Sequence, residues 1–317
     1  MKKFASIVSV TDNYQIYLTT QLNSFAFYGH THDVHIIALD LKPEYLEWLR
    51  NRNWPFELYV HEKTLDDFPE LLPQGKMMVA KKSRYAMLAS GLLDDYDAVL
   101  LLDADLFAVN NFNKYFQMVA DSPVIIGANE RFKWNLRRYK FNGTQLPDVK
   151  MFWMICNAPL FFSPKVNATF VHKAYKSGLH LTEPERDEKH IPSDLFTMNV
   201  AIWLAKVQEN VVLLPSYAWT GVHASYTDII TRITRQDDKW FSWSGEPVYM
   251  IHGRWDRATT SAGYMRWQAK RFVELQLNEA VTKKYSNQAQ STLKAIEKQF
   301  AEFSAMDFER ILLTNRV

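Results

Sequence analysis

Short apolar runs alternate with helical patterns along the first 110 residues, and this alternation restricts the fold more than any other feature of the sequence. Strands are predicted over residues 4–10, 34–39, 56–62 and 98–103. Helices are predicted over residues 15–27, 42–52 and 76–93. This order is typical of an α/β fold with a Rossmann-like, mostly parallel sheet and helices on both faces. Ligands of such sheets bind beyond the carboxyl ends of the strands.

The composition is that of a globular protein and excludes several other classes. Of 317 residues, 47% are hydrophobic and 23% are charged, and the net charge of +2 gives no overall field that would recruit polyanions. The single cysteine, Cys156, excludes a disulfide within the chain and suits a reducing compartment. Because no apolar stretch is long enough to span a bilayer, we expect a cytoplasmic location, with peripheral contact to a membrane left open.

The chain beyond residue 110 contains no repeat, linker or low-complexity tract. Further strands and a helix are predicted up to about residue 258, and helical patterns with mixed charge follow. We therefore predict one α/β domain over residues 1–258 and a helical extension over residues 259–317 that packs on it. Lys283 and Lys284 of this extension would also suit an anionic surface. The sequence does not predict an oligomeric state.

Asp103 and Asp105 directly follow the apolar run from Val99 to Leu102. Side chains alternate along a strand, so two carboxylates at positions i and i+2 point the same way and repel each other unless a cation lies between them. Mg²⁺ and Mn²⁺ prefer oxygen ligands and keep positions open for phosphate oxygens. The pair alone is compatible with a metal–diphosphate site or with a solvated corner between a strand and a loop.

Several segments, in order, resemble glycosyltransferase family 8, the retaining group that uses sugar nucleotides and includes glycogenin and bacterial galactosyltransferases of lipooligosaccharide synthesis. The resemblance runs from about residue 4 to residue 256. It rests on SIVSVTDNYQIYLTTQLNSF, VHIIALDLKPEYLEWL, SRYAMLASGLLDDYDAVLLLDADLFAV, ICNAPLFF, SDLFTMN and PVYMIHGRWDRA. It implies a single domain of the GT-A type.

The resemblance also implies which residues bind the nucleotide. The residues that would hold the base and the ribose are Thr11, Asp12, Asn13 and Tyr14. A basic residue near the nucleotide would be Arg84 or Lys82, and Arg254 or Arg257 would replace the family's diphosphate-binding lysine. The cofactors implied are Mn²⁺ or Mg²⁺ and a nucleotide-sugar donor, expected to be UDP-linked.

The same resemblance implies the metal ligands and the sugar-binding residues. His252 would be the third metal ligand beside the two aspartates. Asn157 and Ala158 would contact the donor sugar, and Asp194 or Asn157 would position it as a catalytic residue during a retaining transfer. Were the reaction inverting instead, Asp194 would serve as the general base. The acceptor implied is a saccharide or a lipid-linked saccharide.

Two residues depart from the family pattern at the sugar end of the site. Pro159 replaces a glycine, and Phe196 replaces the second acid of the segment that begins at Asp194. These changes leave open a non-catalytic module that binds a sugar nucleotide or a carbohydrate. The stretch LLLDADLF also resembles the nucleophile strand of haloacid-dehalogenase-type phosphatases, but Phe107 stands where that motif has Thr or Val.

Two further clusters have chemical interest. Residues 131–141 interleave basic and aromatic side chains, which predicts an acceptor-binding or lid segment, or a nucleic-acid surface that would allow transfer to a hydroxylated base in DNA. His30, His32 and His35 lie close together, but their spacing is not that of a zinc site, so a turn that leads into a strand is the expected structure.

Overall fold

The computed structural model describes residues 2–130, 134–184, 192–214, 233–236, 239–242 and 245–252. The strands in this part are β1 (Phe4–Thr11), β2 (Asp33–Leu39), β3 (Leu58–Lys63), β4 (Ala98–Asp103), β5 (Leu106–Ala108), β6 (Ile125–Glu130), β7 (Trp134–Asn135), β8 (Lys140–Phe141), β9 (Thr144–Gln145), β10 (Lys150–Met151), β11 (Met154–Phe162), β12 (Leu181–Thr182), β13 (Val211–Leu214), β14 (Ile233–Gln236), β15 (Lys239–Ser242), β16 (Pro247–Val248) and β17 (Met250–His252). The helices are α1 (Gln15–Phe27), α2 (Pro43–Asn51), α3 (Lys76–Ala89), α4 (Asn113–Ala120), α5 (Ala168–His180) and α6 (Asp194–Leu204). None of the helices described here has the length and apolarity needed to cross a bilayer.

The central sheet has seven strands in the order β13-β6-β11-β4-β1-β2-β3. β1 runs parallel to β2 and β4, and β13 runs parallel to β6. β11 is antiparallel to both of its neighbours, β4 and β6. No crossover helix separates β6 from β11, so the chain stays at the carboxyl edge and re-enters the sheet in the opposite direction. The predicted mostly parallel α/β sheet is confirmed.

The sheet buries a separate apolar layer on each face. Val8 and Leu102 belong to the layer that includes α1, α2 and α4. Ile7 and Leu101 belong to the layer that includes α3, α5 and α6. Successive residues of one strand divide between the two layers because strand side chains alternate. Helices therefore cover both faces, as the sequence predicts.

Two small sheets are built mainly from the residues between β6 and β11. Their apolar side chains belong to a third apolar cluster. β7 pairs with β10, and β8 pairs with β9 and β12. Trp134, Leu136 and Tyr139 are buried in this cluster, and Phe196 of α6 packs against it. The aromatic side chains of the predicted basic–aromatic segment therefore face inward over residues 134–141. Trp134 and Tyr139 are therefore not available for stacking on bases, and the nucleic-acid alternative is not supported by these residues, whereas the acceptor-binding or lid alternative stays a prediction.

The basic side chains of the same segment form ion pairs at the surface. Arg137 Nη1 lies 3.2 Å from Asp148 Oδ2, and Arg138 Nη2 lies 2.5 Å from Oε1 of the buried Glu183. Both arginines are thus neutralised by neighbouring carboxylates.

Residues 131–133 and the predicted extension 259–317 lie outside the described residues, as does the boundary predicted at residue 258.

The histidine cluster belongs to the interior. His30 stacks on Phe112 with ring centroids 3.9 Å apart, His32 Nε2 lies 3.2 Å from Ser6 Oγ, and His35 Nε2 lies 3.0 Å from Tyr96 OH. Burial lowers the pKa of His30 to about 4 and that of His35 to about 3. These rings are neutral packing groups around the start of β2.

Candidate active site

The Asp-x-Asp turn at the carboxyl end of β4 is held by one side chain of α1. Gln21 Nε2 donates to the carbonyl oxygens of Asp103, at 2.9 Å, and of Leu106, at 2.7 Å. Asp105 lies inside this turn and is buried, whereas the side chain of Asp103 keeps a quarter of its surface exposed. The turn is therefore fixed through its backbone, and both carboxylates remain at the edge where the strand ends.

The last described strand brings the predicted third metal ligand to this turn. β17 pairs with β5 in antiparallel register, so that His252 lies opposite Leu106, the residue that follows Asp105. The side chain of His252 lies outside the described ones, as do Arg254 and Arg257. Among the described side chains, no three His, Cys, Asp or Glu residues are arranged to hold a metal ion. The three-ligand metal site therefore stays a prediction, consistent with the backbone register.

Arg84 of α3 is buried between two carboxylates. Its Nη1 donates to Asp103 Oδ1 and to the carbonyl oxygen of Leu102, both at 2.5 Å, and its Nη2 donates to Asp194 Oδ2 at 3.1 Å. Burial acts to lower the pKa of Arg84, but Asp103 and Asp194 outweigh it and raise the pKa above its ordinary value. Arg84 stays charged and ties the end of β4 to the start of α6.

Asp194 receives hydrogen bonds from two elements. Besides Arg84, Asn157 Nδ2 of β11 donates to Asp194 Oδ2 at 2.6 Å. Burial and the nearby Asp103 raise the pKa of Asp194, while Arg84 and Lys81 act to lower it. The structure thus brings together Asp103, Arg84, Asn157 and Asp194, which the sequence places far apart.

Lys81 is part of this cluster although it was not among the predicted site residues. Its Nζ lies 3.8 Å from Asp194 Oδ1, and its side chain is about half exposed. The sequence indicates that Lys81 lies near Arg84, because positions i and i+3 of a helix share a face and Lys81 precedes Arg84 by three residues. Lys81 places a half-exposed cation at the mouth of the site.

Lys82, the predicted alternative to Arg84, is turned away from the carboxylates at the carboxyl end of β4. Its Nζ donates to Gln74 Oε1 and to the carbonyl oxygen of Gly178, both at 2.9 Å, in the contact between α3 and α5. Two residues along a helix correspond to a rotation of about 200°, so Lys82 and Arg84 point in nearly opposite directions. Burial lowers the pKa of Lys82 to about 8. Of the two alternatives, only Arg84 contacts Asp103.

The predicted nucleotide loop follows β1 at the same edge. Ser9 pairs with Asp103 across β1 and β4, so Thr11 and the 3-10 turn Asp12–Tyr14 extend beyond the strand ends. Tyr14 is half-buried, and its ring lies 5.7 Å from that of Tyr17. Asp12 Oδ2 lies 3.6 Å from Nζ of Lys42, a cation that the sequence analysis did not select. The side chain of Asn13 lies outside the described ones.

Three further residues of the segments that carry the resemblance have structural roles, among them Asn199, which the match of SDLFTMN also implied as a site residue. Ala158 is fully buried, so its side chain offers no surface to a ligand. Asn199 replaces a missing strand partner where β11 bulges: its amide accepts from the Ile155 N–H at 2.9 Å and donates to the Ile155 carbonyl at 2.8 Å. Phe196 stacks near Tyr139, with ring centroids 5.6 Å apart, so its departure from the family pattern serves the third apolar cluster.

At the level of sequence, no family model and no curated protein matches the chain. Solved structures share its fold. WbbM, a bifunctional glycosyltransferase, superposes with a TM-score of 0.54 at 12% identity, over 92% of this chain and 51% of that one, so this chain spans about half of its length. An active-site mutant of LgtC gives a TM-score of 0.51 at 16% identity, over 86% of this chain and 94% of that one.

The galactosyltransferase LgtC, in complex with donor and acceptor sugar analogs, gives a TM-score of 0.50 at 17% identity, with the same coverage of both chains. At such identities the likeness establishes the fold. The chain therefore has the GT-A fold of these glycosyltransferases, as predicted from the sequence.

Proposed function

We propose that the chain is a metal-dependent glycosyltransferase that moves a sugar from a nucleotide-sugar donor, UDP-linked, to a hydroxyl of a saccharide or a lipid-linked saccharide. The glycosyltransferase fold supports this proposal. One observation carries it: the buried chain of polar contacts from Asp103 through Arg84 to Asp194 and Asn157, at the carboxyl edge of the sheet.

Such a cluster is costly as a purely structural device. Removing two carboxylates and a guanidinium from water carries a desolvation penalty, and apolar side chains of similar volume often fill the same space at lower cost. Buried ionised groups at the ligand-binding edge of an α/β sheet are therefore characteristic of binding and catalytic sites.

The donor set at the Asp-x-Asp turn fits a hard divalent cation. Asp103 and Asp105 would provide carboxylate oxygens, and His252, whose backbone lies opposite Leu106, would add an imidazole, a combination that suits Mn²⁺. When bound, the cation would offset the charge that develops on the departing diphosphate. The chain's own contribution is to hold the turn rigid through Gln21.

On this proposal, Asp194 would orient the donor sugar. Arg84 and Asn157 fix its Oδ2, which leaves its carboxylate in one orientation as an acceptor for sugar hydroxyl groups. A retaining transfer with attack from the face of the leaving group needs no dedicated base, so orientation is the role that Asp194 would have. Thr11, Asp12, Asn13 and Tyr14 would hold the base and the ribose.

The experiment that tests the proposal is the thermal stability of metal-stripped protein with nucleoside diphosphates and nucleotide sugars, with and without Mn²⁺. A ligand that binds only the folded state, at about 100 times its Kd, raises the melting temperature by roughly 5 °C. We expect such a rise with UDP or a UDP-sugar and Mn²⁺ together, and its loss in Asp105→Ala. Nucleotide-sugar turnover, measured as release of the nucleoside diphosphate, then separates an enzyme from a binding module.

Asp95→Ala provides the matched control, because Asp95 is exposed and precedes β4 at the opposite edge of the sheet. It should keep the full rise. No shift with any nucleotide, or an equal shift in Asp105→Ala, would overturn the proposed metal–nucleotide site.

A further inference from the structure

Phe152 is the most exposed large hydrophobic side chain in the part of the chain that the structure describes. It is 72% exposed, compared with 53% for Phe27 and 42% for Tyr59. It lies in the bend between β10 and β11, directly before the strand that carries Asn157. An aromatic ring displayed in this way provides an apolar flat surface to a ligand.

The backbone on both sides of Phe152 is fixed. Met151 pairs with Trp134 across β10 and β7, and the indole Nε1–H of Trp134 donates to the carbonyl oxygen of Trp153 at 3.0 Å. Trp134 itself is buried in the third apolar cluster. The ring is thus presented by an anchored segment, and little conformational freedom remains to be lost when a ligand binds.

Phe152 lies at the same edge of the sheet as the site. β11 starts beyond the carboxyl end of β6, where Met154 pairs with Glu130, and it runs inward from there. Asn157 is five residues from Phe152, which at about 3.3 Å per residue corresponds to a separation of at most about 16 Å. An acceptor of two or three pyranose rings can cover a separation of this size.

We propose that Phe152 is an acceptor subsite: the apolar face of a pyranose ring stacks on it, and this ring is not the one that receives the transferred sugar. The inference rests on the proposed glycosyltransferase function and specifies its acceptor as an oligosaccharide of at least two or three units. On this proposal, a single sugar placed beside Asn157 and Asp194 leaves Phe152 to the next ring of a longer acceptor.

The test is a binding titration with gluco- and galacto-oligosaccharides of one to four units, in which saturation-transfer NMR measures the binding. In the wild-type protein we expect binding to tighten about tenfold once the oligosaccharide is long enough to reach the ring. This gain should be lost in Phe152→Ala and kept in Phe152→Trp. Binding of the single sugars should be the same in all three proteins.

Phe27→Ala is the matched control, because Phe27 is also exposed but ends α1, which leads away from the carboxyl edge. It should behave as the wild type. The subsite is overturned if Phe152→Ala retains the gain with length, or if the wild-type protein binds no member of the series. The Mn²⁺-dependent shift with UDP, recorded on the same samples, reports separately on the proposed function.

Discussion

Arg84 donates a hydrogen bond to Asp194 across 3.1 Å. The two residues are 110 positions apart in the sequence, and their contact joins α3 to α6. Both side chains are almost fully buried. Removing the cation leaves Asp103 and Asp194 as like charges with no bridge between them. Arg84→Met should therefore lower the free energy of unfolding by roughly 3–5 kcal/mol, measured by urea denaturation.

The control for this substitution is Arg137→Met. Arg137 and its partner Asp148 are each more than half exposed, so the loss there should stay within about 1 kcal/mol. A similar loss in both variants would show that the buried bridge contributes no more than a surface ion pair.

Phe196 should be required for stability although the family pattern places an acid at this position. Its ring packs 5.6 Å from that of Tyr139 and 6.3 Å from that of Trp134. Phe196→Asp removes this packing and should cost about 2 kcal/mol in urea unfolding. Phe196→Leu keeps most of the apolar volume and should cost about half as much. If Phe196→Asp is as stable as the wild type, the ring has no packing role.

Mild acid should destabilise the protein through its buried histidines. The pKa of His30 is lowered by burial from 6.5 to about 4, so the unfolded chain binds a proton more readily than the folded one between these values. Stability is therefore complete above about pH 6.5 and is lost as the pH falls towards 4, by about 3 kcal/mol for His30 alone. His32 and His35 are shifted in the same direction.

Urea midpoints between pH 7.5 and 4.5 measure this loss. His30→Gln should flatten the dependence, whereas His172→Gln, at an exposed position of α5, should leave it unchanged. Equal losses in the wild type and in both variants would contradict the role given to His30.

Gly127 of β6 should tolerate no side chain. A Cβ atom there would lie 2.7 Å from Ile155 Cγ1 and 3.0 Å from Leu160 Cδ1, both on β11. Gly127→Ala should cost about 1–3 kcal/mol through overpacking and, by displacing Asn157, should weaken binding of the proposed nucleotide-sugar donor. In the double variant with Ile155→Ala, the loss of stability should be smaller than the sum of the two single losses. Additive losses would show that the two positions do not compete for space.

The order of strands and helices was predictable because each carries its own apolar period, and the Asp-x-Asp pair was predictable because it ends a buried strand. The direction of β11 was not. All nine of its residues are buried, and such a run has the same pattern in either direction. Its direction follows instead from its connection to β6, which contains short strands and no crossover helix in the described residues.

The orientation of the basic–aromatic segment was not predictable, for a related reason. Interleaved residues predict two faces but do not say which one meets solvent, and here Trp134 and Tyr139 face inward. The choice between Lys82 and Arg84 was different, since helix geometry alone separates their directions. What it does not show is which direction faces the carboxylates, because this depends on contacts between distant segments.

Gln21 holds the Asp-x-Asp turn from the first helix, while Phe152 is held by residues that follow β6. The Asp-x-Asp turn and the proposed acceptor subsite are thus built from separate stretches of chain. Mutations that reshape the later stretch leave the anchor of the earlier one in place. On the proposed function, descendants of a common ancestor can accordingly inherit one sugar-nucleotide donor and diversify in the acceptors that they modify.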